Sequence, residues 1–134
     1  LGLAEAALKL MCERSLNREA FGRPLAKLGG NGDIIAQARI DIEMTRLLCL
    51  KAAWLMDHEG TDAAQPFISM IKVAAPNMAL KIIDEAMQMY GGIGLSQDTP
   101  LATWYGAQRT LRFADGPDSV HRMVIARREL SQYR

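Results

Sequence analysis

The chain has 134 residues, of which 49% are hydrophobic and 23% charged, with 16 Lys plus Arg against 15 Asp plus Glu. That composition excludes a disordered polypeptide and leaves one domain's length, enough to bury a core. A formal net charge of +1 gives no bulk reason to expect nucleic acid or an anionic membrane as partner, no apolar run reads as a membrane span, and two cysteines, Cys12 and Cys49, cannot complete a four-ligand metal site.

The chain starts at Leu1, without a methionine and already inside a helical pattern, so a piece of a longer protein is expected. The first helix is predicted from about Leu3 to Asn17, where Leu3, Ala6, Ala7, Leu10, Met11 and Arg14 share a face. Gly22 and Pro24 then stop it. Two long stretches, Asp33 to Glu59 and Thr61 to Tyr90, contain no glycine, as long helices require. In the second helix Ile35, Ala38, Ile42, Thr45, Cys49, Ala52 and Met56 step by three or four. Asp33 suits the N-cap and Gly60 the end. The third helix spans about Ala64 to Tyr90, with a stripe of Ile68, Ile71, Ala75, Met78, Ile82, Ala86 and Met89. Pro76 predicts a kink rather than a break, because the stripe keeps phase across it. A short helix from Pro100 to Arg112 and a last one from Pro117 to Gln132 complete the pass, the latter with Val120, Met123, Val124, Ala126, Arg127 and Leu130. No stretch alternates long enough for a strand. The expected fold is an all-α, antiparallel up-and-down four-helix bundle with one extra short helix.

Metal chemistry finds little support. A di-iron bundle needs a Glu-x-x-His pair on each of two helices, and Asp118 with His121 is a single pair of that offset. Three other segments hold chemistry. Asn17 to Leu25 is a helix stop with Phe21 and Leu25 plugging the core, or an anion site built on Arg18 or Arg23. Gln88 to Gly94 is a helix C-cap, or a place where Gly91 and Gly92 let a flat or phosphorylated ligand approach the backbone while Gln88 offers donor and acceptor. In Arg109 to Asp118, Asp115 is an N-cap carboxylate, or a general base made more basic by partial desolvation between apolar helices.

Together and in this order, the segments resemble the C-terminal helical domain of the acyl-CoA dehydrogenase family over nearly the whole chain, residues 1–134. The matching elements are Arg18, Phe21, Gly22 and Leu25; Gln88, Gly91, Gly92 and Gly94; Arg109; Asp115 and Gly116; and Ala126 with Arg127. The resemblance implies an FAD flavoenzyme in which Asp115 removes the α-proton of an acyl-CoA thioester while the β-hydride passes to the flavin, giving a trans-2-enoyl-CoA. It implies that Arg18 and Phe21 reach the FAD of a neighbouring subunit and that Gln88, Gly91 and Gly92 accept its adenine end. The implied assembly is a homodimer or homotetramer, with an electron-transfer flavoprotein as a candidate acceptor of electrons. Some features depart from the family pattern. Asp115 stands where Glu is usual, Pro117 where Thr is, Ser119 where Gln is, and Ala20 where a polar residue is; Gly29, Gly30, Asn31 and Gly32 interrupt a usual helix. Two alternatives stay open: a flavin oxidase of the same fold, nitroalkane- or acyl-CoA-oxidase-like, and a helical module that serves assembly alone.

Overall fold

The computed structural model describes every residue from Leu1 to Arg134. Helix α1 spans Gly2–Asn17 and α2 spans Asn31–His58. Helix α3 spans Thr61–Tyr90, α4 is the single turn Gly92–Leu95, α5 is Leu101–Thr110 and α6 is Asp118–Ser131. The all-α bundle is as expected, with details that periodicity did not reveal. Between α1 and α2 the chain makes a small antiparallel hairpin, β1 (Glu19–Ala20) against β2 (Arg23–Pro24), then a 3-10 turn over Leu25–Lys27. Helix α2 begins at Asn31 rather than at an Asp33 cap. The Asn31 Nδ2 donates to the Leu25 carbonyl at 2.8 Å and ties the helix start to the preceding turn.

Helix α3 is the axis of the domain and touches all five other helices. It continues unbroken through Pro76 and through Pro66, both buried. Its length and apolar composition would suffice to cross a membrane, against the reading that no run approached that length. Here Met78, Ala79, Ile82, Ile83, Ala86 and Met89 are instead buried against Ala4, Ala7, Leu8 and Met11 of α1, Ala38 and Ile42 of α2, and Leu101 of α5. The stripe expected along α3 holds for this half only. Nearer the N-terminus Ala64, Pro66 and Ser69 are buried, whereas Ile68 is exposed and Ile71 and Ala75 only half-buried. The α6 stripe is likewise open at Val120, Met123 and Leu130.

Polar links fix the register of the bundle from outside. Glu5 accepts a two-pronged pair from Arg39, both distances 2.9 Å, and is also paired with Arg46, so α1 is held to α2. Lys81 bonds Asp41 at 2.8 Å and holds α2 to α3. Such half-exposed pairs orient helices more than they stabilise them.

The glycines after α3 have different duties. Gly91 turns the chain with φ +66, in the left-handed region. Gly94 is buried, and a Cβ there would stand 2.7 Å from the Met87 carbonyl oxygen. Gly92 has neither restriction: nothing lies within 4 Å of its Cβ position. Gly94→Ala is expected to cost about 1–3 kcal/mol of stability by overpacking, and Gly92→Ala to stay within about 0.5 kcal/mol of wild type. Chemical denaturation of the two variants checks the contrast.

Candidate functional site

Only two non-glycine residues have positive φ: Phe21 at +51 and Asp115 at +55. A side chain in the left-handed region is strained unless it is glycine or a residue that bonds locally, and such strain concentrates where function demands it. Both residues stand directly before a glycine that also has positive φ, Gly22 at +74 and Gly116 at +100.

Asp115 lies on the loop between α5 and α6. Its carboxylate is exposed and makes no hydrogen bond or ion pair, so the expected desolvation is not supplied by this chain. The loop itself is firmly tied. Lys72, from α3, donates to the carbonyls of Leu111 at 2.6 Å and Gly116 at 3.2 Å. The His121 Nε2 lies 3.1 Å from the Asp115 carbonyl oxygen, which can only accept, so Nε2 is the donor. Arg112 Nε pairs with Asp118 at 2.8 Å, joining the start of the loop to its end, and Asn77 of α3 donates to the same carboxylate oxygen at 3.1 Å. Beside Asp115 runs an open groove of about 510 Å3 walled by Cys49, Ile68, Ile71, Ala75, Pro76 and Leu111. The half of the α3 stripe that is not core is the floor of this groove. A side chain on a rigid frame, free of partners and flanked by an apolar surface, is placed to accept a proton from an apolar carbon skeleton.

Arg18, Phe21, Gln88, Gly91 and Gly92 are not near it. Phe21 and Gly22 are the two loop residues of the β1–β2 hairpin, and their paired positive φ is the type I′ pattern that matches strand twist. Phe21 therefore projects from the tip, 96% exposed, and does not plug the core. Arg18, at the C-cap of α1, is exposed and its guanidinium is unpaired. Gln88 is exposed in the last turn of α3. Arg14 of α1 lies 5.2 Å from the centre of the Tyr90 ring of α3, so the hairpin and the glycine corner follow helix ends that meet. From Lys72, under the Asp115 loop, to Gln88 is 16 residues of α3, about 24 Å at 1.5 Å per residue. The domain thus has two separate exposed sites.

Lys72, Asn77 and His121 were not anticipated as ties of the Asp115 loop, and Asp118 was placed at its end without its bonds to Asn77 and Arg112. The available signal was polar residues interrupting the apolar stripe of α3 at Lys72 and Asn77. Proximity to the loop comes only from the fold.

The fold defines an all-α domain with a strained, unpartnered carboxylate and a distant projecting hairpin. The comparisons identify which such domain it is. The family model for the C-terminal domain of acyl-CoA dehydrogenases matches residues 1–130. FadE2 of Mycobacterium tuberculosis is 52% identical over 132 residues, 98% of this chain and 32% of that protein. Acyl-CoA dehydrogenase family member 11 of Rattus norvegicus is 53% identical over 97% of this chain and 17% of that protein. The solved butyryl-CoA dehydrogenase of Megasphaera elsdenii superposes with TM-score 0.88 at 32% identity, over 96% of this chain and 33% of that one. The chain belongs to the acyl-CoA dehydrogenase family. It spans a third or less of the length of these relatives.

Asp118 carries a pH consequence. Burial acts to raise its pKa, but the bonds from Asn77 and Arg112 and the charge of Arg122 hold it below the ordinary aspartate value of 3.8. The folded state therefore prefers the ionised form. Its contribution is complete above about pH 5 and is lost as the pH falls through the lowered folded pKa. Acid titration of unfolding is expected to show this loss, with a shallower slope in Asp118→Asn.

Proposed function

We propose that this chain is the base-bearing domain of an FAD-dependent acyl-CoA dehydrogenase, forming trans-2-enoyl-CoA from acyl-CoA thioesters. The observation that carries the reading is the left-handed strain at Phe21 and Asp115, the one a projecting aromatic and the other an unpartnered carboxylate. In this reading Asp115 removes the α-proton. Lys72 and His121 hold the loop backbone so that the carboxylate keeps its direction, and the apolar groove keeps water from one flank. Asp115 is one methylene shorter than the usual Glu, and the tied loop compensates by fixing the backbone. FAD, when bound, supplies the acceptor for the β-hydride.

The second exposed site suits that cofactor. Arg18 offers an unpaired fork to a pyrophosphate, Phe21 a free ring face, Gln88 an unpaired amide, and Gly91 and Gly92 a backbone without side-chain obstruction. Its distance from Asp115 supports service to a neighbouring subunit's cofactor rather than to the site of its own chain. Helix α2 supports homo-oligomerisation as a dimer or tetramer. Opposite its buried face it exposes Ile40, Met44, Leu47 and Trp54, from 47% to 65%, as one helical stripe. An electron-transfer flavoprotein is the acceptor this reading requires downstream.

In the full-length protein, Asp115→Asn is expected to slow acyl-CoA-dependent bleaching of the flavin by about 100-fold or more, as for loss of a general base. Undiminished bleaching excludes Asp115 from the chemistry. Phe21→Gly is expected to leave stability without FAD unchanged or higher, because it relieves roughly 1 kcal/mol of left-handed strain, and to weaken FAD retention. Thermal unfolding with and without FAD separates the two effects.

A further inference from the structure

Between the end of α5 and the start of α6 lies a second concavity of about 510 Å3, walled by Arg109, Arg112, Arg122, Phe113, Asp118 and Ser119. It is on the same loop as Asp115, yet shares no residue with the apolar groove. Its charges do not balance. Three guanidinium groups face one carboxylate, and that carboxylate is already paired with Arg112. Arg109 and Arg122 have no ion pair. Arg109 is held by its stack on Phe113, 4.4 Å from guanidinium carbon to ring centre, and its Nη1 is shut from solvent without an acceptor. Buried donors of this kind are nearly always satisfied, and a missing bound group is one of the few reasons they are not. Nothing in the bundle consumes the excess positive charge.

The pocket also contains an unmet acceptor. Asp118 is 92% buried, since 8% of its surface remains exposed, and its Oδ1 has no donor while Oδ2 has two. An oxyanion that satisfies both brings several acceptor oxygens and one donor hydrogen, which on such a ligand is an O–H. Carboxylate and sulfate have no such proton near neutral pH, and the phosphodiester and pyrophosphate links of a dinucleotide have none either. A phosphomonoester or free phosphate does, because its second pKa lies near 6. The first N–H groups of α6, a helix of 14 residues, open beside Ser119 and favour an anion further.

We propose that this pocket binds a phosphomonoester group, its oxygens taken by Arg109, Arg112 and Arg122 and its P–O–H donating to Asp118. The inference rests on the chain's own unmatched donors and acceptor, and the family reading adds only that coenzyme A thioesters are phosphate-bearing candidates.

The test uses the full-length protein at pH 6 and titration calorimetry with inorganic phosphate, with sulfate as control. Phosphate is expected to bind and sulfate to bind about tenfold or more weakly, the effect of one charge-assisted hydrogen bond made or missed. Arg122→Gln, which changes an exposed side chain, and Arg109→Gln are each expected to weaken phosphate by a similar factor. Asp118→Asn is expected to abolish the preference over sulfate. Coenzyme A against its 3′-dephospho form then assigns the ester: a difference that Arg122→Gln removes places it on the coenzyme, and no difference, with phosphate still bound, places it on free phosphate or another monoester. Equal binding of sulfate and phosphate, or phosphate binding unaltered in both arginine variants, overturns the proposal. None of these readouts depends on flavin reduction, so a failed Asp115 assignment leaves this result interpretable.

Discussion

Thirty residues of apolar helix cannot be left in water, and the burial of α3 is the constraint from which the rest of the domain follows. Five helices cover it, but unevenly. The half that ends at Tyr90 is sealed by α1, α2 and α5 and is the core. The half that begins at Thr61 buries Ala64, Pro66 and Ser69, while Ile68, Ile71 and Ala75 line the groove beside Asp115. Core and candidate site are thus two stretches of one helix, distinguished by what packs on them. The same helix also supplies Lys72 and Asn77, which hold the Asp115 loop to it. A disturbance of α3 packing therefore reaches the Asp115 loop without touching Asp115 itself.

Much of this was legible in the sequence, and the limits have physical causes. Glycine-free stretches located α2 and α3 because glycine weakens helix interiors whatever their surroundings. Periodicity found which residues share a face of α3, but a face is not yet a core. Ile68 and Ile82 repeat alike, and only the fold shows one exposed and the other buried. Pro66 and Pro76 went further than a local rule allows. Each removes one backbone bond, yet the helix runs on through both, and both are buried.

The candidate residues Arg18, Phe21, Gln88, Gly91, Gly92 and Asp115 were read as pattern, and the pattern did not say why they take their positions. Backbone conformation does. Phe-Gly and Asp-Gly at 21–22 and 115–116 are the two places where a non-glycine residue precedes a left-handed glycine and is itself left-handed. The hairpin was missed because two-residue strands give no alternation to detect. The tying of the Asp115 loop was missed because its bonds join residues separated by as many as 44 positions.

The distribution of unmet interactions argues that this domain folds by its own core but functions through what it lacks. Phe21 exposes an aromatic at a strained position, α2 exposes a full apolar stripe, Asp115 exposes a carboxylate, and Arg109 buries a donor without an acceptor. The exposed apolar groups, the left-handed backbone at Asp115 and the orphaned donor are each unfavourable alone, and none is needed to close the core around α3. They persist at separate places on the surface, and they differ in chemistry: aromatic, aliphatic, acidic and cationic. One partner surface could not satisfy all of them. A cofactor, a second subunit, a substrate and a phosphate together could, each at its own place. Binding at any one then favours the folded, assembled form over the unfolded chain, so occupancy and assembly stabilise each other through mass action rather than through direct contact.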